Sequence, residues 1–134
     1  MGAISQADIP GNLLTFQLAC ASVASQTAAT RPAFVAPAAG TIVSAYTLAT
    51  TSQASSTNVT QAIKLVNIGA AGAGTTVLAS VGVTVSTATL IPKAWTVVEG
   101  NSFAAGDALA WVHGVGSTGV DQLDRHLVVK YRLT

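Results

Sequence analysis

The sequence predicts an all-β protein: an antiparallel β-sandwich of jelly-roll-like winding, about eight strands behind an extended N-terminal arm. Three observations carry that expectation. From Asn12 onward the dominant period of apolar side chains is two, the period of strands with one buried face. Clusters of Gly, Pro, Asn and Asp separate these runs and act as turn signals. No stretch places apolar residues in a helical stripe between caps, and Thr and Val stand where a helix favours Leu, Glu and Lys.

The elements follow in order. Residues Met1 to Asn12 hold Gly2, Pro10 and Gly11 with scattered apolar side chains and form the arm; residues 13–134 form one sandwich domain, a length suited to a single core. Leu14, Phe16 and Leu18 alternate with Thr15 and Gln17, giving the first strand, and a Ser/Ala/Thr-rich stretch from Ala21 to Thr30 interrupts it. Arg31 to Pro37 carries two prolines, so a strand there belongs at an edge or bends around the sheet. Gly40 opens a stronger strand, in which Ile42, Ser44, Tyr46 and Leu48 share one face and Val43, Ala45 and Thr47 the other.

Val59, Ile63 and Leu65 set the buried side of the next strand, which runs into the glycine-rich loop Gly69 to Gly74. Val77, Ala79, Val81, Val83 and Val85 then alternate with Leu78, Ser80, Gly82, Thr84 and Ser86, with Gly82 expected at a bulge or bend. Trp95 and Val97 mark a further strand, closed by Glu99-Gly-Asn101. Phe103 to Asp107 is a turn before a strand carrying Leu109, Trp111 and His113 on one face. The last strand has Leu127, Val129, Tyr131 and Leu133 on its apolar side and His126, Val128, Lys130 and Arg132 on the other.

Composition narrows the function. Half of the residues are hydrophobic and only 8 % are charged, against about a quarter in an ordinary soluble domain. An exterior so poor in ions is suited to contact with protein. A net charge of +1 provides no footprint for nucleic acid or an anionic membrane, which call for clustered Lys and Arg. The N-terminus lacks the pattern of a signal peptide and no apolar run is long enough for a spanning helix, so a soluble, unexported chain is expected.

Catalysis has little to draw on: five acidic residues, two histidines and one cysteine. The lone Cys20 is expected to be a small buried side chain. His113 and His126 are expected at the surface or in turns, and no Gly-x-Ser-x-Gly elbow accompanies the nearby Asp107 and Asp124. Asp121 and Asp124 are too few for calcium, and no histidine–thiolate set suits zinc. Gly69, Gly72 and Gly74 precede a strand rather than a helix, so they are not a phosphate cradle. Asn58-Val-Thr60 matches a glycosylation sequon, taken as a coincidence in an unexported chain. No enzyme, no metal, no cofactor and no small-molecule substrate is expected. Trp111 is expected in the core. Trp95, beside Pro92 and Lys93, is a candidate contact residue, either for a partner protein or as a sugar-stacking face.

Three segments resemble the small β-sandwich capsid decoration, or cement, proteins of tailed bacteriophages: Phe34 to Tyr46, Asn67 to Ser80 and Phe103 to Leu109. The likeness covers roughly residues 32–133. It implies a structural virion protein, made in the bacterial host cytoplasm, that binds the outer surface of a phage head and stabilises it. Its partners would be the major capsid protein and copies of itself, as a homotrimer. Ile4 and Ile9 would anchor the arm on a neighbour, with Trp95 as a further contact. The alternative is a glycan-binding or host-attachment module of a head fibre or tail, and scattered Ser, His and Asp leave a hydrolase as the third reading.

Overall fold

The computed structural model describes residues 13–20, 29–50, 62–82, 90–113 and 125–134. Among these residues nine strands are present: β1 (Leu13–Cys20), β2 (Ala29–Val35), β3 (Gly40–Ala49), β4 (Ala62–Gly69), β5 (Thr76–Gly82), β6 (Lys93–Ala94), β7 (Thr96–Val97), β8 (Ala108–His113) and β9 (Arg125–Leu133). They make a four-stranded sheet, β1-β9-β3-β6, and a five-stranded sheet, β2-β8-β4-β5-β7, antiparallel throughout. The expected all-β sandwich is the fold. The arm, with Ile4 and Ile9, lies outside the described residues, as do Val59, Val83, Val85, the Asn58 sequon, Asp121 and Asp124.

β6 and β7 are two halves of one strand that changes sheets. Ala94 and Lys93 pair with Tyr46 and Thr47 of β3, and Thr96 and Val97 pair with Ser80 and Ala79 of β5. Between them the Trp95 amide donates to the Ala45 carbonyl at 2.8 Å, and beyond them the Val98 amide donates to the Leu78 carbonyl at 2.9 Å. With these halves counted as one, the pairings β1·β9, β2·β8, β3·β6 and β4·β5 are those of a long eight-stranded hairpin. The pairings β3·β9 and β4·β8 form when that hairpin is rolled up. This is jelly-roll winding.

The inner faces meet in one core. Ile42, Ala45, Leu127, Val129, Tyr131 and Leu133 come from the first sheet, and Ile63, Leu65, Leu78, Val81, Leu109 and Trp111 from the second. Burial of such side chains stabilises the fold by about 1.5–3 kcal/mol each. The edge strands β1 and β2 face one another, with Phe16 stacked on Phe34 at 4.4 Å between ring centroids. Tyr131 tilts against both rings and meets the edge of Phe103; burial there raises its phenol pKa. As Pro32 within it and Pro37 just beyond it foretell, β2 is an edge strand, with a register shift between Pro32 and Phe34.

Three expectations about faces are corrected. In β3 a bulge between Ile42 and Ser44 adds one residue against β9. Ile42 points inward, but beyond the bulge Ala45, Thr47 and Ala49 are buried while Tyr46 and Leu48 turn outward. One extra residue inverts the phase of a period-two pattern. In β5 the register shift pairs Leu65 with Ala79 and Val66 with Val77, leaving Leu78 as the extra residue. Leu78 and Ala79 are therefore both buried, so this strand has an irregularity at Leu78; Gly82 is the last described residue of β5, and the bend expected there runs into residues outside the described ones. The third concerns His113. It continues the inward series of Leu109 and Trp111 and is fully buried, stacked on Trp111 at 6.4 Å. His126, on the opposite phase of β9, is exposed as expected.

Candidate interaction surfaces

Among the described residues no three His, Cys, Asp or Glu side chains gather to hold a metal. No described helix is long and apolar enough to cross a membrane. The polar groups that are organised serve the fold. Asp107 accepts from the Ala104 amide and from the Asn67 side-chain amide through one oxygen, both at 2.8 Å. Asn67 Oδ1 in turn accepts from the Gly69 amide at 2.8 Å. The Ala104 amide first, and the Asn67 amide second, hold the Asp107 carboxyl below the usual carboxylate range. The carboxylate fastens the turn before β8 to the base of the β4–β5 hairpin.

Two of the resembling segments meet at this end. Gly40 and Phe103 exchange backbone hydrogen bonds at 3.0 and 2.9 Å, and a Cβ on Gly40 would lie 2.6 Å from the Arg132 carbonyl oxygen and 2.9 Å from the Phe103 ring. Glycine at position 40 and an aromatic ring at 103 are thus one fitted contact. Asn101, also buried, accepts from the Ile42 amide at 2.9 Å and donates to the Val98 carbonyl. The glycine loop behaves as a hairpin: Gly69 and Gly72 have φ of 70° and 74°, and Gly74 passes so close to the Asn67 carbonyl that a Cβ would approach it to 2.7 Å.

Trp95 does not take the outward role expected of it. It is 6 % exposed, its indole N–H donating to the Thr47 hydroxyl at 3.3 Å. A strand that crosses between sheets must fill the gap it spans, and Trp95 stands at the crossing point. Trp111, fully buried, fits its expected place in the core, with the Arg31 guanidinium 5.7 Å from its ring centroid. Both indoles are therefore inside the sandwich. Neither offers a face to a sugar.

Two outer surfaces remain. On the five-stranded sheet, Lys64, Val66, Val77 and Val112 and the folded-over glycine loop border a shallow groove of about 360 Å³. On the four-stranded sheet, β9 displays His126, Val128, Lys130 and Arg132. Arg132 lies between Leu13 of β1 and Thr41 of β3, and Lys130 between Thr15 and Ser44. Val128, flanked by Gln17 and Tyr46, is only 7 % exposed. Leu13 and Val43 stand out as apolar positions, each 41 % exposed. Sequence period alone located the outward face of β9, but its cross-strand neighbours depend on register and had no local signal.

No protein-family profile matches the chain, and no curated protein matches it. Among solved structures the chain is similar to one in a cyanophage Pam1 capsid asymmetric unit. The identity is 22 % and the TM-score 0.41, over 100 % of this chain and 94 % of that one.

Proposed function

We propose that this chain is a structural virion protein of the decoration or cement type, which binds the outside of an assembled phage head and braces it through protein–protein contacts. The observation that supports this reading is the exterior. Leu13, Val35, Val43, Leu90, Ile91 and Val98 are large apolar side chains in the open, in a chain with only 8 % charged residues. Hydroxyl, methyl and amide groups leave water at far smaller cost than ions. Such a surface is suited to being covered by a shell and by neighbouring copies.

The partners in this reading are the major capsid protein and further copies of the chain, as a homotrimer, with Ile4 and Ile9 of the arm as apolar anchors on a neighbour. Its place is the virion surface, after synthesis in the host cytoplasm. It performs no catalysis and needs no cofactor. The glycan-binding alternative rests on the sandwich pattern and on Trp95; the Trp95 indole is inside the core and offers no stacking face, and a sandwich alone does not favour a sugar over a protein partner.

Cryo-microscopy of the virion, combined with heating of heads with and without the protein, tests the proposal. The expected result is density for the sandwich on the outer surface and earlier rupture of heads that lack it. Absence from the head surface, or equal thermal resistance of the two preparations, would refute it.

A further inference from the structure

We infer that the outer face of the β1-β9-β3-β6 sheet is the surface that docks, and that its occupant is a protein patch bearing carboxylates, met by Lys130 and Arg132. The inference rests on the decoration reading and adds to it which face is applied and what chemistry it meets.

Lys130 and Arg132 stand two residues apart on the outer side of one strand, a spacing of about 7 Å. The cross-strand positions that could neutralise them are neutral: Thr15 and Ser44 beside Lys130, Leu13 and Thr41 beside Arg132. Opposite charges in such positions ordinarily stabilise a sheet, and here they are missing. The only acidic side chains among the described residues, Glu99 and Asp107, lie between β7 and β8, and Asp107 is engaged by Asn67 and Ala104. Among the described residues, then, this face carries cations without anions. It also carries the exposed Leu13 and Val43, which add apolar area to the contact.

Two cations in a setting of Thr, Ser, Gln and Tyr are too sparse to track a phosphate backbone, which demands a stripe of Lys and Arg. They match a pair of carboxylates about 7 Å apart, the spacing that alternate residues of a strand present. Complementarity of this kind fixes orientation and register, and reversing one sign turns attraction into repulsion. Among the described residues the groove of the opposite sheet is lined by one cation, Lys64, so the two faces differ in the chemistry they offer.

The test uses purified heads from which the protein has been stripped, as the probe, and adds back the full chain. Four proteins are compared: wild type, Lys130→Glu with Arg132→Glu, Lys130→Gln with Arg132→Gln, and Lys64→Glu on the other face. Melting curves confirm that each is folded, as expected for outward side chains. The double reversal should weaken binding on the order of 100-fold and the neutral pair roughly 10-fold. Lys64→Glu should stay within about threefold, and wild-type affinity should fall as salt rises. Binding by the double reversal equal to wild type would overturn the inference and leave the decoration reading intact. So would binding lost in Lys64→Glu instead. Failure of wild type to bind heads, or binding to naked duplex DNA in their place, would remove both.

Discussion

Replacing Gly40 with Ala tests a contact that joins the two arms of the chain's long hairpin. The added Cβ would sit 2.6 Å from the Arg132 carbonyl oxygen and 2.9 Å from Phe103 Cζ, whereas relaxed non-bonded carbon contacts lie near 3.5–4.0 Å. The Phe103 ring is confined by Tyr131, and the carbonyl belongs to β9, held between β1 and β3. Neither can rotate away. The sheet would have to open by about 1 Å at that point, loosening the paired hydrogen bonds between Gly40 and Phe103. Overpacking costs about 1–3 kcal/mol, and one weakened hydrogen bond adds about 1 kcal/mol. A loss of about 2–4 kcal/mol corresponds to a fall in Tm of roughly 8–16 °C for a domain of this size. Differential scanning calorimetry of dilute protein measures it. Gly82→Ala is the control, because nothing among the described residues lies within 4 Å of its Cβ position; it should be neutral or stabilising by up to about 1 kcal/mol. A Gly40→Ala protein melting within about 2 °C of wild type would refute the close approach of β3, β9 and Phe103.

Trp95→Ala should cost about 3–5 kcal/mol as a core truncation. Trp95→Phe should cost less, near 1 kcal/mol for the lost Thr47 hydrogen bond plus imperfect filling; urea unfolding of both separates packing from hydrogen bonding. His113→Ala should destabilise by roughly 2 kcal/mol or more because the ring is fully buried, whereas His126→Ala should stay within about 0.5 kcal/mol. Equal effects in thermal melts would contradict the facing of β8 and β9. Asp107 has a depressed carboxyl pKa in the folded state. Its contribution is therefore complete above the unfolded carboxyl value of about 3.9 and is lost as pH falls through the lower folded value. The gap in Tm between wild type and Asp107→Asn should narrow as pH is lowered from 6 toward 2, and a gap that widens would show the sign to be wrong.

Much of the secondary structure was legible because a period of two is a local signal. Leu127, Val129, Tyr131 and Leu133 are inward as their spacing implies, and Leu14, Phe16 and Leu18 pack against the core. Pro32 and Pro37 likewise announced an edge, since a residue without an N–H cannot serve a central strand. The glycines that follow His113 in sequence suggest a turn, whereas the alternation from Leu109 and Trp111 points its ring inward, where it lies. The faces of Tyr46 and Leu48 were lost at the β3 bulge. A bulge is formed by a disagreement in residue count between two strands, so neither strand's own sequence contains it. Trp95 was misplaced for a related reason: its burial follows from a sheet change made by pairing with β3 on one side and β5 on the other.

The sequence by itself determined that the chain is built of strands, where their inward faces mostly lie, and that few ions would coat its exterior. Those properties follow from side-chain chemistry and short-range spacing, which each segment carries alone. Only the tertiary structure decided the order β1-β9-β3-β6 and β2-β8-β4-β5-β7, the fit of Gly40 against Phe103, and the neutral neighbours of Lys130 and Arg132. Each of these depends on which distant strands come to lie side by side, and that choice is made by the shape of the shared core.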